Sequence, residues 1–329
     1  MFTRVMNTWT ASPVISWAPD DVRHALNGPT MGTRYSAVFV APADIDLTLI
    51  QRALQSAADT VDQQMSNWQP ASDVSRFNAA PAGTWVAVAA DLLEVVETGL
   101  EIGRRSNGAF DIGLGKVVNA WGFGPERSAP DAAAIAALSY GRRASTDEVL
   151  ELDRRNVRMR RHAPMQLDLC GIAKGFGVDQ LARCLDAAGI RDYLVSIDGE
   201  LRARGCRLDG AAWQVAIERP DRTDRAPLSA ISLHDVAIAM SGDYRHSLDH
   251  YGRRVSHTMD PRTGRPLDNS LAAVGVLAAS AMLADACATA LLVAGENEGP
   301  ALAEANGLDA LFILRHGDEL LELPIGKFE

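Results

Sequence analysis

Lysine is nearly absent from this chain: Lys116, Lys174 and Lys327 are the only three, and every other basic side chain is arginine. With 42 acidic against 32 basic residues the formal charge is -10, which leaves no electrostatic footprint for a polyanion, so nucleic acid is not expected as a partner. Cysteine is sparse too. Cys170, Cys184, Cys206 and Cys287 contain no C-x-x-C pair, so neither a zinc site nor a disulfide framework is indicated, and all four read as thiols. No stretch approaches the roughly 18 apolar residues of a membrane span, so stable membrane insertion is not expected. The first twenty residues lack the uninterrupted apolar core and cleavage site of a secretion signal. A cytoplasmic protein is the expectation for the chain as it stands, and a periplasmic one if a native leader has been removed.

Internal repeats, low-complexity segments and Pro/Ser-rich linkers are also missing, and 47% hydrophobic residues in 329 supply ample core for one catalytic unit. Apolar residues at Leu47, Ile50, Leu54, Ala58, Val61 and Met65 recur at helical spacing, with Asp44 or Asp46 as cap. A second helix is expected over Asp91–Arg105, and others over Phe176–Ala188 and Ala281–Val293. Between them, "EVLELDRRNVRMRR" alternates about an Arg155-Asn156 turn as a hairpin does, and short strands follow at "YLVSID", "WQVAIER", "SAISLHDVAIAM" and "AAVGVLA". Hairpins mixed with helices, without a steady βαβ repeat, give an α+β fold of mixed sheets with interspersed helices.

One of the three lysines stands in "LDLCGIAKGFGVDQL". The stretch fails the G-x-x-x-x-G-K-[ST] pattern, so the usual nucleotide-triphosphate loop is excluded. It reads as a strand at "QLDL", a glycine turn and a helix, presenting free N–H groups and a point charge to an anion; a tight turn with a solvated lysine is the plainer alternative. Further on, "LADACATALL" puts Asp285 and Thr289 four apart on one face of an apolar helix. A carboxylate buried there must be paired, capping, or bound to a cation. One carboxylate with hydroxyl and carbonyl oxygens suits magnesium that keeps waters. In "VSHTMDPRTGRPLDN", His257 precedes a turn, near Asp243 of "MSGDYRHS"; a lone histidine is more often a structural hydrogen-bonder than a catalyst, and the neighbouring carboxylate shifts that balance. Met31, Trp68, Phe110, Trp121 and Phe123 lie in small-residue turns and suit either a planar heterocycle or a core.

Taken in order, "TMGT", "MSNW…SDVSRFN", "GAFDIG…WGFGP", "DLCGIAKGFGVD", "SGDY", "SHTMDPRTGRP" and "ADACATAL" resemble the ApbE family of FAD:protein FMN transferases, over nearly the whole chain. The resemblance implies a single domain over 27–329, with 1–26 as leader or extension, and an architecture with room for two lobes around the flavin. It implies that FAD, as substrate, is split at its pyrophosphate, that AMP leaves, and that FMN is esterified to a threonine or serine of an acceptor flavoprotein subunit. Flavin contacts carry over onto Met31, Trp68, Ala109, Phe110, Asp111, Asp168, Lys174 and Met259, and a Mg2+ site onto Asp285, Thr289 and the Gly171 carbonyl. His257, or else Asp243, is then the base that takes the acceptor's proton. Met240, Cys170 and Asp198 depart from the family pattern, and Ala288 stands where some relatives add an acidic ligand, which argues for one metal rather than two. The same residues would also serve an FAD pyrophosphatase, and a non-catalytic FAD-binding protein is the reading from another class.

Overall fold

A computed structural model describes residues 5–7, 18, 20–126, 129–139, 144–221, 226–244, 247–250, 253–317 and 319–329. Most of the 1–26 segment therefore lies outside the described residues. A three-residue strand, β1 (Val5–Asn7), precedes two ten-residue strands, β2 (Asp21–Thr30) and β3 (Thr33–Pro42). Residues 21–26 thus belong to the sheet. Helix α1 (Leu47–Met65) keeps the expected bounds, buries Ile50, Leu54, Ala58, Val61 and Met65, and is capped by Asp46, which accepts from the Thr48 and Leu49 amides at 3.0 Å. Then come α2 (Asp73–Ala79), β4 (Val86–Ala87), α3 (Ala90–Arg105), α4 (Gly115–Ala120), α5 (Ala132–Ser139) and α6 (Thr146–Val149). The expected hairpin is β5 (Leu150–Asp153) and β6 (Arg158–Arg161), turning through Val157 at φ 48°.

After α7 (Ala173–Ala187) the chain is strand-rich: β7 (Asp192–Ile197), β8 (Glu200–Arg204), β9 (Trp213–Glu218), β10 (Pro227–Leu233) and β11 (Val236–Gly242). Four short strands follow, β12 (Ser247–His250), β13 (Arg253–Ser256), β14 (Met259–Asp260) and β15 (Arg265–Pro266), then β16 (Leu271–Ala278). Helix α8 (Ala281–Ala305) precedes the final hairpin, β17 (Asp309–His316) and β18 (Glu319–Ile325).

Eight of these strands form one antiparallel sheet in the order β18-β17-β16-β11-β8-β7-β3-β2. Both faces are covered. Along β17, Ala310 and Phe312 pack with α8 residues such as Leu291, while Leu311 and Ile313 pack with Trp213, Ile217 and Ile231 of the small β1-β10-β9 sheet. A strand buried on both faces reads as a continuous apolar run rather than an alternation, which is how "AAVGVLA" in β16 reads. The α+β expectation holds. Among the described residues, no helix is long and apolar enough to cross a membrane.

Two expectations about helix starts and ends are refined. The "QLDL" segment is not a ladder strand: it makes one isolated bridge, Gln166 to Leu114, and Lys174 lies inside the first turn of α7 rather than in a loop. The helix expected to end at Val293 does break beside it, at Gly295 (φ 76°, ψ -178°), before the axis resumes through Pro300. Asn269 takes up the break by donating from Nδ2 to the Leu292 carbonyl at 2.9 Å.

Helices α7 and α8 meet at one point of very close approach. A Cβ at Gly175 would lie 2.3 Å from the Ala281 carbonyl oxygen and 2.8 Å from the Asp285 Cβ. Main chain cannot step aside as a flexible side chain can, so Gly175→Ala must separate the helices. Overpacking of this kind costs about 1–3 kcal/mol, and urea unfolding of that variant is expected to show a loss in this range.

Candidate active site

The N-terminal halves of α7 and α8 exchange carboxylates. Asp179 of α7, buried, accepts from the Ala281 and Met282 amides at 3.0 Å and so caps α8. Asp285 of α8, 3% exposed, accepts from the Gly175 amide at 3.0 Å. Asp285 is therefore not the cap of its helix; Ser280 accepts from Leu283 N in that role, beside Asp179. The same bond takes the Gly175 N–H, so that amide is not free for an anion as the glycine-turn reading had it. Burial, and after it the Glu200 carboxylate, push Asp285 up to about 8, against the pull of Lys174 and the Gly175 N–H.

One turn after Asp285, the half-buried Thr289 brings Oγ1 within 3.1 Å of Ser241 Oγ on β11. A Cβ at Gly171 would sit 3.1 Å from that Thr289 oxygen and 3.3 Å from the Phe110 ring. Gly171, Thr289, Phe110 and Asp285 thus share one neighbourhood, and a side chain at 171 would crowd it. Ala109 is buried against Val293 and Ala294. Asp168 closes an Asx turn, accepting from the Cys170 amide at 2.9 Å, while its own amide donates to the Ile112 carbonyl at 2.7 Å. Asp111 accepts from the Gly113 amide at 2.7 Å and from the Thr146 hydroxyl. Met31 stands at φ 46° in the β2–β3 turn, its methyl 3.1 Å from where a Cβ on Gly177 would be.

Lys174 differs from its expected part. Its ammonium donates to Glu200 Oε1 at 2.8 Å and lies 3.5 Å from Asp198 Oδ2. Burial alone would lower its pKa, but the Glu200, Asp285 and Asp198 carboxylates outweigh that and raise it. The charge is already met within the protein by Glu200 and Asp198, which leaves no positive surplus for a phosphate. Asp243 is likewise engaged: Arg315 grips both of its oxygens, at 2.5 and 2.9 Å. His257 and Met259 belong to another cluster. Met259 is buried with Leu114, Val117 and Trp121, the His257 ring is 6.4 Å from that of Phe123, and Trp121 Nε1 donates to the Gly264 carbonyl at 3.0 Å. Trp68 is 65% exposed, and its loop is tethered by Asn78, which exchanges both amide hydrogen bonds with the Leu167 main chain.

Glu200, Asp179, Ser241 and Arg315 were not anticipated. For Asp179 a signal existed, since it follows Phe176 and Val178 into the buried side of α7; for Glu200, first in a strand after a polar turn, none did. A Cys206–His234 contact at 3.5 Å is not a nucleophile pair. The imidazole Nδ1 is committed to the Gly205 carbonyl at 2.9 Å, and burial pushes the thiol up.

Among the described residues, no group of three His, Cys, Asp or Glu side chains is arranged to hold a metal. The donors at hand are the buried Asp285 carboxylate and the Thr289 hydroxyl, with the Gly171 main chain beside Thr289. These are hard oxygens, and too few to strip a cation of its waters, a set that would suit magnesium.

A family model described as the ApbE family matches residues 31–312. The FAD:protein FMN transferase of Vibrio cholerae is 39% identical over 306 residues, 92% of this chain and 91% of that protein. The Haemophilus influenzae protein of the same name is 36% identical, covering 88% of this chain and 86% of its own. The solved structure of the flavin transferase ApbE from Vibrio cholerae superposes with a TM-score of 0.83 at 36% identity, over 94% of this chain and 98% of that one.

The raised Asp285 pKa gives stability a sign with pH. Between its ordinary value of 3.8 and about 8 the folded protein keeps a proton that the unfolded chain has released. Stability must therefore fall as pH rises through that window and level off above it. In chelator, the urea midpoint of Asp285→Asn is expected to gain on the wild type from pH 4.5 to 8; parallel curves would contradict the assignment.

Proposed function

The chain belongs to the ApbE family of enzymes that transfer FMN from FAD to protein, and we propose that it does so with magnesium, onto a threonine or serine hydroxyl, releasing AMP. The acceptor oxygen bonds to the phosphorus on the riboflavin side of FAD, the pyrophosphate P–O bond breaks with its electrons going to AMP, and the hydroxyl proton passes to a base. The observation that carries this reading is the buried Asp285 carboxylate, aligned with Thr289 and Gly171 beside the Phe110 ring.

In this reading Asp285, Thr289 and the Gly171 carbonyl hold the cation. When bound, it offsets charge on the pyrophosphate, the main requirement of phosphoryl-type transfer. Phe110 and Ala109, with Met31 and Met259, offer apolar surface to the isoalloxazine, and the exposed Trp68 can cover it. Asp111 and Asp168 spend oxygens on their own turns, which fixes the loops that would face the flavin. Of the two candidate bases, His257 is preferred because both Asp243 oxygens are held by Arg315. Lys174 supports the site through its carboxylates rather than as a free cation for phosphate.

Incubation with FAD, Mg2+ and a candidate flavoprotein subunit tests the reading. A fluorescent acceptor with a covalent FMN adduct by mass spectrometry, plus AMP, is expected. FMN and AMP formed equally without acceptor would make the protein a hydrolase, and intact FAD would overturn the assignment. Asp285→Ala is expected to abolish turnover with an unchanged circular dichroism spectrum. His257→Ala should bind FAD within a few-fold of wild type yet transfer about 10²–10⁴ times more slowly, the usual worth of a general base; loss of binding instead would move His257 into the flavin pocket.

A further inference from the structure

Glu200 is a buried acid of the site, 2% exposed, at the first position of β8 beyond the Asp198–Gly199 turn. Its two oxygens are treated unequally. Oε1 accepts from Lys174 at 2.8 Å, and among the described residues Oε2 has no hydrogen-bond partner. Its own main-chain N–H lies near enough to favour the charged form without satisfying that oxygen. A buried carboxylate oxygen left without a donor costs free energy, and such an atom beside a ligand site is where a ligand's donors belong.

Which donors these are follows from the neighbours. Lys174 and Gly175 are consecutive, the one holding Glu200 through its ammonium and the other Asp285 through its amide. The two carboxylates therefore flank the same turn of α7, with Asp198 3.5 Å from the same ammonium. Three acids share one base there, and a cation with its hydration shell would supply both further counter-charge and the missing donors. Burial raises the pKa of Glu200 too, with Lys174 offsetting part of the effect.

We propose that Glu200 is a positioning residue of the cation site, its free Oε2 accepting a hydrogen bond from the hydration shell of the divalent ion that Asp285 would hold. The inference rests on the magnesium reading above. Carboxylates that orient an ion's shell without touching the ion typically set its affinity by 10–100-fold.

The test needs no turnover. Binding of Mn2+ alone is followed by loss of the free-ion electron paramagnetic resonance signal, for wild type, Glu200→Gln and Asp285→Asn, with folding checked by circular dichroism. In Glu200→Gln the amide oxygen stays on Lys174 and the amide NH2 replaces Oε2, a donor where an acceptor is needed, at nearly the same volume. The expected result is a Kd for Mn2+ raised about 10–100-fold in Glu200→Gln, and at least as much in Asp285→Asn. Should Glu200→Gln be misfolded, Glu200→Asp, which keeps the charge but withdraws the oxygen, is expected to weaken binding by a smaller factor. A Kd within twofold of wild type in the folded Glu200 variant, with Asp285→Asn still impaired, overturns the role of Glu200 and leaves the cation site standing. If Mn2+ binds neither wild type nor variants, with or without FAD, the cation site fails and Glu200's role fails with it. A loss seen only when FAD is present would assign Oε2 to a flavin hydroxyl and also overturn the proposal.

Discussion

The contact on which the site depends is the one between α7 and α8 at Gly175. Each helix lends the other a carboxylate: Asp179 of α7 takes the first amides of α8, and Asp285 of α8 takes an amide from the first turn of α7. Both acids thereby sit at the positive ends of helices, where negative charge is favoured. The exchange is possible only because position 175 has no Cβ to meet the Ala281 carbonyl. Arg202 completes it on the sheet side, donating to Asp179 at 2.5 Å, so the helix pair is also locked to β8. Thr289 and Gly171 are then placed by helix geometry alone, one turn along from Asp285 and just ahead of α7.

This arrangement also accounts for a lysine in a chain that otherwise prefers arginine. The ammonium at position 174 must sit between Glu200 and Asp198, in a space set by a helix and a hairpin tip. A compact point charge meets both from a single atom, whereas a planar guanidinium asks for a flat, two-pronged acceptor. The surface pair of Arg207 with Asp209, in which two guanidinium nitrogens each take one carboxylate oxygen, is of the second kind and carries arginine. Its exposure means that it contributes little to stability. The buried charges are fewer and matter more.

How much of this the sequence discloses depends on whether a residue's partner is near in the chain. Helix α1 is legible to its ends because its apolar stripe and Asp46 cap are local. The β5–β6 hairpin is legible for the same reason, as is the break near Val293. Strands β2 and β8 are not. The first is an edge strand with few buried positions, and the second alternates weakly between a turn and a loop. At the site, Asp285 and Thr289 stand out because a carboxylate and a hydroxyl interrupt an apolar helix. What their partners are is a tertiary fact: the Gly175 amide lies 110 residues away, and no periodicity reports it. Lys174 stands out in the sequence as a rare lysine, but its ion pairs are not legible there, because the acids that meet it arrive from another hairpin.

If the proposed function holds, a division of labour follows from where its two groups of residues are built. The charge-handling half rests on paired helices over an eight-stranded sheet, with every main element fixed by core packing. The half that contains His257 is made of short strands and turns, β12 to β15, held to the α4 region by the Trp121–Gly264 bond and the cluster of Leu114, Val117 and Met259. Rigid elements suit the step that needs fixed charge and in-line geometry. Loops suit the step that must admit a macromolecular hydroxyl yet keep water from the same phosphorus. Transfer and hydrolysis differ only in which oxygen reaches that atom. On the proposed reading the choice between them would be made on the His257 side, by how closely Phe123 and its neighbours shut around an acceptor, and the helix pair would serve either reaction equally well.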